Sequence, residues 1–320
     1  MQEGKHILLC GAGAVGTAIG ASLCSQGMQV CFLAKGNTLT AIRTGGVSRT
    51  GLFGEIHIPP SELMATDDAA QLPDAWAEYV LVCTKTLANA EIAETLHLNR
   101  AKLAPGARIV ILQNGWENDH PFRAYFSESE LYQARVITGF ARPAPGVSEI
   151  TVHTAPILFG SLYGYDTDCI ACLPAAICAS GIPADTTQDL AAALWAKMLY
   201  NTTLNPLGAV LHLPYGKLAD SPAARAIMDS LIDESFAVMR AAGYHTFWES
   251  AEDYRAEFYG KLVPDTRAHR SSTLQDIEKK QKTEIDTLNG CIVRLADEHG
   301  IPVPTHRLIC QLIRALEENY

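Results

Sequence analysis

The sequence predicts an α/β domain followed by an all-α domain, on three observations. A short apolar strand at residues 5–10 runs into a glycine loop and an alanine-rich helix reaching about residue 26. Buried-type strands recur through the first half, at 29–34, 79–83 and 107–112. From about residue 189 helical periodicity takes over, at 189–204, 221–242, 249–259, 273–299 and 304–318. A shift in composition near Ile182 and Pro183 sets the boundary, giving expected domains over residues 1–187 and 188–320. Between the two series, residues 45–60 read as a hairpin-like excursion. Residues 135–162 read as short extended segments at a sheet edge or wall, and 168–180 as the last helix of the first domain.

Composition narrows the function. With 320 residues, 48% apolar and 19% charged, the chain is an ordinary globular protein with room for two domains. A net charge of −10 and a pI near 5.5 argue against nucleic acid and anionic membranes as partners. The first residues lack the pattern of a secretory signal, so a cytoplasmic protein is expected. Nine cysteines among apolar neighbours fit free thiols of a reducing compartment. Cys169 and Cys172 form a Cys-x-x-Cys, but no second pair at zinc spacing accompanies it, and no metal is expected.

The glycine loop reads Gly11-Ala12-Gly13-Ala14-Val15-Gly16, between a strand and a helix. In that setting Gly11 permits the tight turn, Gly13 lets backbone approach a pyrophosphate and Gly16 lets helix and strand pack closely, while the helix N-terminus offers N–H groups to the anion. A dinucleotide is therefore expected here. Sites for NAD usually place an acidic residue after the second strand to accept from the ribose 2′-hydroxyl. None occurs between residues 28 and 54, where Lys35, Arg43 and Arg49 are basic. NADP(H) is the expected cofactor, with Lys35 the first candidate for its 2′-phosphate, set against the alternative of plain surface charge. Lys85 and Asn114 follow the strands at 79–83 and 107–112, where ligands bind in open α/β sheets. Capping or turn formation would explain either residue equally well.

Within residues 194–208, Lys197, Asn201 and Asn205 recur every four residues. On a helix that spacing stacks an amine and two carboxamides on one face. Their neighbours are mostly Leu, Ala, Met, Trp and Tyr, and a lysine among such side chains is costly to desolvate. The stripe is either solvated surface or a catalytic lysine with substrate-binding amides. Pro206 is expected to end or kink this helix. A second polar set opens the predicted helix at 273–299: Ser271 or Ser272 suits an N-cap or an anion, and Glu284 follows twelve residues after Ser272. Glu284 is either one more surface charge or a partner for the amine.

Taken together, the glycine loop, Lys85, Leu112-Gln-Asn-Gly115, Trp195-x-Lys-x-x-x-Asn-x-x-x-Asn-Pro206, Ser271-Ser-x-Leu-Gln-Asp276 and Thr283-Glu-Ile-Asp-x-x-Asn-Gly290 resemble the ketopantoate reductases (2-dehydropantoate 2-reductases) nearly end to end. The resemblance implies a Rossmann-type NADPH domain and an all-helical domain similar to the 6-phosphogluconate dehydrogenase C-terminal-like fold, with the active site in the cleft between them. It implies reduction of 2-dehydropantoate to pantoate, a step of pantothenate and coenzyme A biosynthesis. Lys197 would then be the general acid and Glu284 its partner or a ligand for the substrate hydroxyl. Asn201, Asn205 and Ser272 would bind substrate, joined by His269 and Asn114. Lys85, Asn114 and Glu284 would stand at the cofactor-substrate junction. Two departures are visible: His269 stands where the family often has Asn, and Lys35 where Arg is common. The first leaves open another 2-oxo or 3-oxo acid, and a non-catalytic NADP(H)-binding regulator is a third class. The helical domain could also support a homodimer.

Overall fold

The computed structural model describes residues 5–320. They divide into two compact units: one runs to Gln113 and resumes over Asn118–Leu190, and the other comprises Asn114–Glu117 and Ala191–Tyr320. The tetrapeptide at 114–117 thus leaves the end of a strand of the first unit and belongs to the second.

The first unit is built from β1 (His6–Cys10), α1 (Ala14–Cys24), β2 (Gln29–Leu33), α2 (Gly36–Gly45), β3 (Val47–Gly51), β4 (Ile56–Ile58), β5 (Met64–Thr66), β6 (Ala77–Val82), α3 (Asn89–Leu98), β7 (Leu103–Ile111), α4 (His120–Arg123), β8 (Leu131–Arg135), β9 (Thr138–Ala144), β10 (Val147–His153), β11 (Ile157–Gly160), α5 (Cys172–Ala179) and β12 (Ala184–Thr186). Eight strands form one sheet in the order β12-β11-β8-β7-β6-β1-β2-β5. It is parallel from β5 to β8, and β11 runs antiparallel to β8. The middles of the central parallel strands β1, β2 and β6 are apolar because both faces are covered. Ile7 and Leu9 enter one core while Leu8 and Cys10 enter the other. The chain steps from β1 outward to β2 and β5, then returns to β6 on the far side of β1. That reversal is a topological switch point, where open α/β sheets bind ligands.

Residues 45–60 do form a hairpin, β3 with β4, and it joins a second sheet in the order β4-β3-β10-β9. Of the segments expected at a sheet edge or wall, only β8 and β11 join the main sheet; β9 and β10 pair with the hairpin through β3. The second sheet covers α1, which is buried from residue 16 to residue 23. Its tether is Arg49 on β3, one of the three basic residues between positions 28 and 54. Arg49 is 1% exposed, and donates to Ser22 Oγ (2.7 Å), Ser180 Oγ (3.0 Å), Ser180 O (2.9 Å) and Phe53 O (2.9 Å). Burial holds its guanidinium below the ordinary value, and both of its terminal nitrogens are spent on the fold. The nine cysteines are free, and burial pushes the thiols of Cys10, Cys24 and Cys31 up to about 12. No helix among the described residues is long and apolar enough to cross a membrane.

The second unit adds α6 (Leu190–Leu211), α7 (Tyr215–Asp220), α8 (Pro222–Ala241), α9 (Ala251–Glu257), α10 (Val263–Asp265), α11 (Ser272–Glu278), α12 (Asn289–His299) and α13 (Pro304–Glu317). Two sequence expectations are corrected here. First, α6 runs through Pro206 for five more residues rather than ending beside it. Second, the helix expected over 273–299 is two helices. It stops at Lys280, whose φ of 54° is left-handed, and Gln281 N returns to Asp276 O (2.9 Å). The linker is then held by Thr283, whose N–H and hydroxyl both reach Glu317 Oε1 (2.7 and 2.6 Å). Glu284 therefore lies on a short turn before α12 and not within a long helix.

Helix α13 starts at Pro304, where Glu234 accepts from Thr305 N and His306 N (both 3.0 Å), a carboxylate at the positive end of a helix. His306 itself is fully buried. Its Nδ1 accepts from Asn289 Nδ2 (3.1 Å), leaving Nε2–H to donate toward Leu231 O (3.1 Å) and Ser235 Oγ (2.9 Å). Burial pushes the imidazole down to about 4 from 6.5, against the opposing charge of Glu234. Between those two values the unfolded chain binds a proton that the folded one does not, so stability rises with pH across the window. The contribution is fully present above about 6.5 and is lost as the pH falls toward about 4, a change of about 3 kcal/mol. Urea unfolding of a His306→Gln variant should therefore be most destabilised relative to the parent at pH 7, with the gap narrowing by a few kcal/mol at pH 4.5; a gap that stays constant would show that His306 does not carry the window.

Candidate active site

At the switch point the strand ends are drawn together by backbone. Gly11 N donates to Leu33 O at the end of β2 (3.1 Å), and Cys83 N to Cys10 O (2.8 Å). Gly11 has a φ of 96°, and a Cβ there would lie 2.7 Å from Thr84 N. At Gly16 a Cβ would lie 2.0 Å from Gly11 O, so the first turn of α1 can press on the loop only without a side chain. At Gly13 a Cβ would meet nothing within 4 Å. The loop is thus closed behind and open in front, as an approaching diphosphate requires. Helix α1 has no side-chain cap at Gly13 and no acidic residue in its first turn, which leaves its leading N–H groups and dipole for an anion.

Behind the loop, residues 83–86 are fixed by a reciprocal amide pair. Gln113 Nε2 donates to Asn89 Oδ1 (2.6 Å) and to Thr84 O (2.8 Å), and Asn89 Nδ2 returns to Gln113 Oε1 (2.9 Å) and Asn118 O (3.0 Å). Asn89 therefore holds both residues that flank the tetrapeptide 114–117. Lys85 is exposed and sits at the start of the turn Thr86–Ala88. Lys35 leads into α2, exposed, with Glu91 at 2.6 Å, a surface pair of little energetic weight. Arg142, which the sequence did not single out, donates to Thr38 Oγ1 (2.6 Å) in the first turn of α2. It brings a second cation to a helix start that lacks any acidic residue.

In the second unit the polar stripe of α6 is turned inward. Lys197 is half-buried, while Asn201 and Asn205 are 8% and 4% exposed. Lys197 Nζ donates to Asn114 Oδ1 at 2.6 Å. Asn205 Oδ1 accepts from Tyr215 OH (2.6 Å), which turns its Nδ2 outward as a donor. Among the described residues neither that nitrogen nor the Asn201 amide has a hydrogen-bond partner, although both side chains are buried. Neither belongs to the fully buried polar atoms that lack a partner, so both open on solvent-accessible space, where a polar ligand or water can meet them.

Asn114 is delivered to the lysine by its own tetrapeptide. Gly115 has a φ of 100°, and a Cβ on it would lie 2.4 Å from Thr287 O. Trp116 N donates to Thr287 O (2.9 Å), and its ring packs on those of Trp195 (5.2 Å) and Tyr244 (4.9 Å). Glu117 adopts a left-handed φ of 61°, a costly state for a side-chain-bearing residue, and its carboxylate is held by Arg294 of α12 (2.9 and 3.2 Å). Arg294 and Glu117 were not legible as site-building residues, being 177 positions apart.

Of the two serines, Ser271 is the N-cap of α11 and is buried; it accepts from Leu274 N (3.0 Å) and donates to Asn205 O (3.0 Å). Ser272 is exposed at the first residue of the same helix. His269 is exposed, with its ring 5.0 Å from that of Tyr215 and its carbonyl accepting from Tyr215 N. Glu284 is half-buried on the turn whose last residue, Thr287, receives the Trp116 N–H.

Comparison with known proteins places this arrangement. The profile described as "Ketopantoate reductase PanE/ApbA" matches residues 7–164, and that described as "Ketopantoate reductase PanE/ApbA C terminal" matches 189–317. A 2-dehydropantoate 2-reductase of Aquifex aeolicus is 32% identical, with 97% of this chain and 96% of the relative covered. The chain belongs to the PanE/ApbA ketopantoate reductase family. Its two-domain build is that of the family, whose members are oxidoreductases. A PanE/ApbA family ketopantoate reductase from Ralstonia eutropha superposes with a TM-score of 0.84 at 30% identity, covering 98% of this chain and 99% of that one. A D-mandelate dehydrogenase solved with NADH and anilino(oxo)acetate shares the fold, with a TM-score of 0.84 at 19% identity over 98% of this chain and 99% of that one.

The glycine contacts separate folding from binding. Gly16→Ala should lower stability by about 1–3 kcal/mol through the clash with Gly11 O, whereas Gly13→Ala should leave the Tm close to that of the parent. Thermal unfolding checks both, and equal losses at the two positions would contradict the open front of the loop.

Proposed function

We propose that this ketopantoate reductase family member reduces 2-dehydropantoate to pantoate with NADPH, in the cytoplasm, as part of pantothenate biosynthesis. The observation that carries the reading is the inward stripe of α6: an ammonium at 2.6 Å from Asn114 Oδ1, flanked by two buried amides with donors to spare. A 2-oxo acid presents a carbonyl oxygen and a carboxylate close together, which matches one proton donor beside several neutral donors. The free cysteines fit the reducing compartment proposed.

The stoichiometry is one 2-oxo acid, one NADPH and one proton to one 2-hydroxy acid and one NADP⁺. When bound at the glycine loop, the reduced nicotinamide supplies the hydride. Residues Gly11, Ala12, Gly13, Ala14, Val15 and Gly16 would hold the diphosphate, with Lys85, Asn114 and Glu284 at the nicotinamide end. Lys35 and Arg142, at the start of α2, would hold the 2′-phosphate, and the lack of acidic residues from 28 to 54 supports NADPH over NADH. Lys197 would donate a proton to the carbonyl oxygen as negative charge develops there, with Asn114 Oδ1 fixing the direction of the amine. Asn201 and Asn205 would orient the acid through their amide donors. Ser272, at the open end of α11, would take the carboxylate, and Glu284 would act on the substrate hydroxyl or the amine.

A second oxo acid is favoured by one feature. His269 stands against Tyr215 where the family often has Asn, and it offers a larger, aromatic wall to the substrate. The D-mandelate dehydrogenase that shares the fold was solved with NADH and anilino(oxo)acetate. Initial rates of NADPH oxidation against a panel of 2-oxo and 3-oxo acids decide the matter: 2-dehydropantoate should give the highest kcat/KM, and tight NADPH binding without turnover on any acid would leave a binding protein instead. Lys197→Ala should lower kcat by about 100-fold or more while NADPH still binds. In the same titrations Gly13→Ala should weaken NADPH binding by about tenfold or more at unchanged fold, since its methyl fills the space the diphosphate needs.

A further inference from the structure

Helix α6 carries a proline in its interior without ending there, and the way it does so points to an unassigned positioning residue. Pro206 has no N–H, so the carbonyl one turn back, at Thr202, loses its helical donor. Thr202 is fully buried, and an unmet buried carbonyl would be expensive. The missing donor is supplied by Asn289, the first residue of α12, whose Nδ2 lies 2.9 Å from Thr202 O. The same nitrogen gives its second hydrogen to His306 Nδ1 at 3.1 Å. This orientation leaves Asn289 Oδ1 buried without a partner. Turning the amide over would set that oxygen against Thr202 O and the His306 nitrogen, both acceptors, and so the structure tolerates one orphan oxygen to meet two needs. Asn289 is itself fully buried, and His306 is fixed on its other side by Leu231 O and Ser235.

Thr202 lies between Asn201 and Asn205, so the bridged carbonyl sits in the turn that sets the angle between the two amides and, one turn earlier, Lys197. We propose that Asn289, held by His306, replaces the backbone donor that Pro206 lacks and thereby keeps Lys197, Asn201 and Asn205 in one helical register. Asn289 touches no reacting atom and acts through α6. Its effect on turnover rests on the reductase reading above, whereas its effect on the helix does not.

Pro206→Ala restores an N–H to position 206, which makes a rescue experiment possible. Steady-state kinetics and hydrogen–deuterium exchange over residues 198–212 would be measured for the parent, Asn289→Ala, Pro206→Ala and the double variant. Asn289→Ala should lower kcat by about tenfold or more and speed exchange locally, with NADPH affinity unchanged. In the Pro206→Ala background the same change should cost at most about threefold, because the restored N–H serves Thr202 O. Equal losses in both backgrounds overturn the proposal, as does failure of both Asn289→Ala proteins to fold, since the damage would then lie on the His306 side. A fold recovered only in the double variant supports it. If the parent reduces none of the oxo acids, the reductase reading fails, and exchange, which needs no substrate, still decides the role of Asn289.

Discussion

An amine and two carboxamides carried inward by a helix of leucine, alanine and tryptophan must find hydrogen bonds where they end, and much of the second unit is arranged to provide them. Each buried polar atom left unmet would cost about 1–3 kcal/mol, a large fraction of the net stability of a domain. Asn114 accepts from Lys197, Tyr215 donates to Asn205 Oδ1, Ser271 donates to Asn205 O and Asn289 donates to Thr202 O. The partners come from four segments far apart in sequence. Of the polar atoms on the stripe itself, the Asn201 amide and the Asn205 nitrogen keep their hydrogen-bonding capacity, while the orphan atoms deeper in the unit, Trp195 Nε1, Tyr254 OH and Asn289 Oδ1, lie off it.

The glycine loop was legible in the sequence because its information is backbone: φ at Gly11, contact at Gly16, open space at Gly13. The stripe of α6 was legible because a spacing of four is a local geometric fact. What could not be read was decided by distant partners. Pro206 looked like an end or a kink of the helix, since nothing near it in sequence announces that Asn289, 87 residues after Thr202, would donate to the carbonyl it leaves unmet. The break at 279–288 was hidden because its residues keep a helical pattern, and only the buried Glu317 anchoring Thr283 reveals the turn. Arg49 stood in the sequence only as one of three basic residues in a stretch without acidic ones, because charge in sequence carries no depth. In the fold it is the tether of a second sheet that strand patterns alone could not separate from the first.

The segment 114–117 shows how strain and position are linked. Glu117 holds a left-handed conformation that costs on the order of 1–3 kcal/mol for a residue other than glycine. A relaxed backbone there would turn the chain away from Thr287 and with it the only described anchor of Trp116 N. The Glu117 side chain is 9% exposed while that of Arg294 is 48% exposed, so losing the arginine would strand a shielded carboxylate, whereas losing the glutamate would leave a cation that water can reach. The ion pair and the Trp116–Trp195–Tyr244 cluster therefore keep the strained state populated. Because Gly115 touches Thr287 with no room for a methyl group, the strap has little freedom to slide, and Asn114 meets Lys197 as a fixed acceptor. The direction of the amine is thus set by a backbone strained three residues after Asn114, and that strain is paired with a charge on the helix whose first residue, Asn289, also steadies α6.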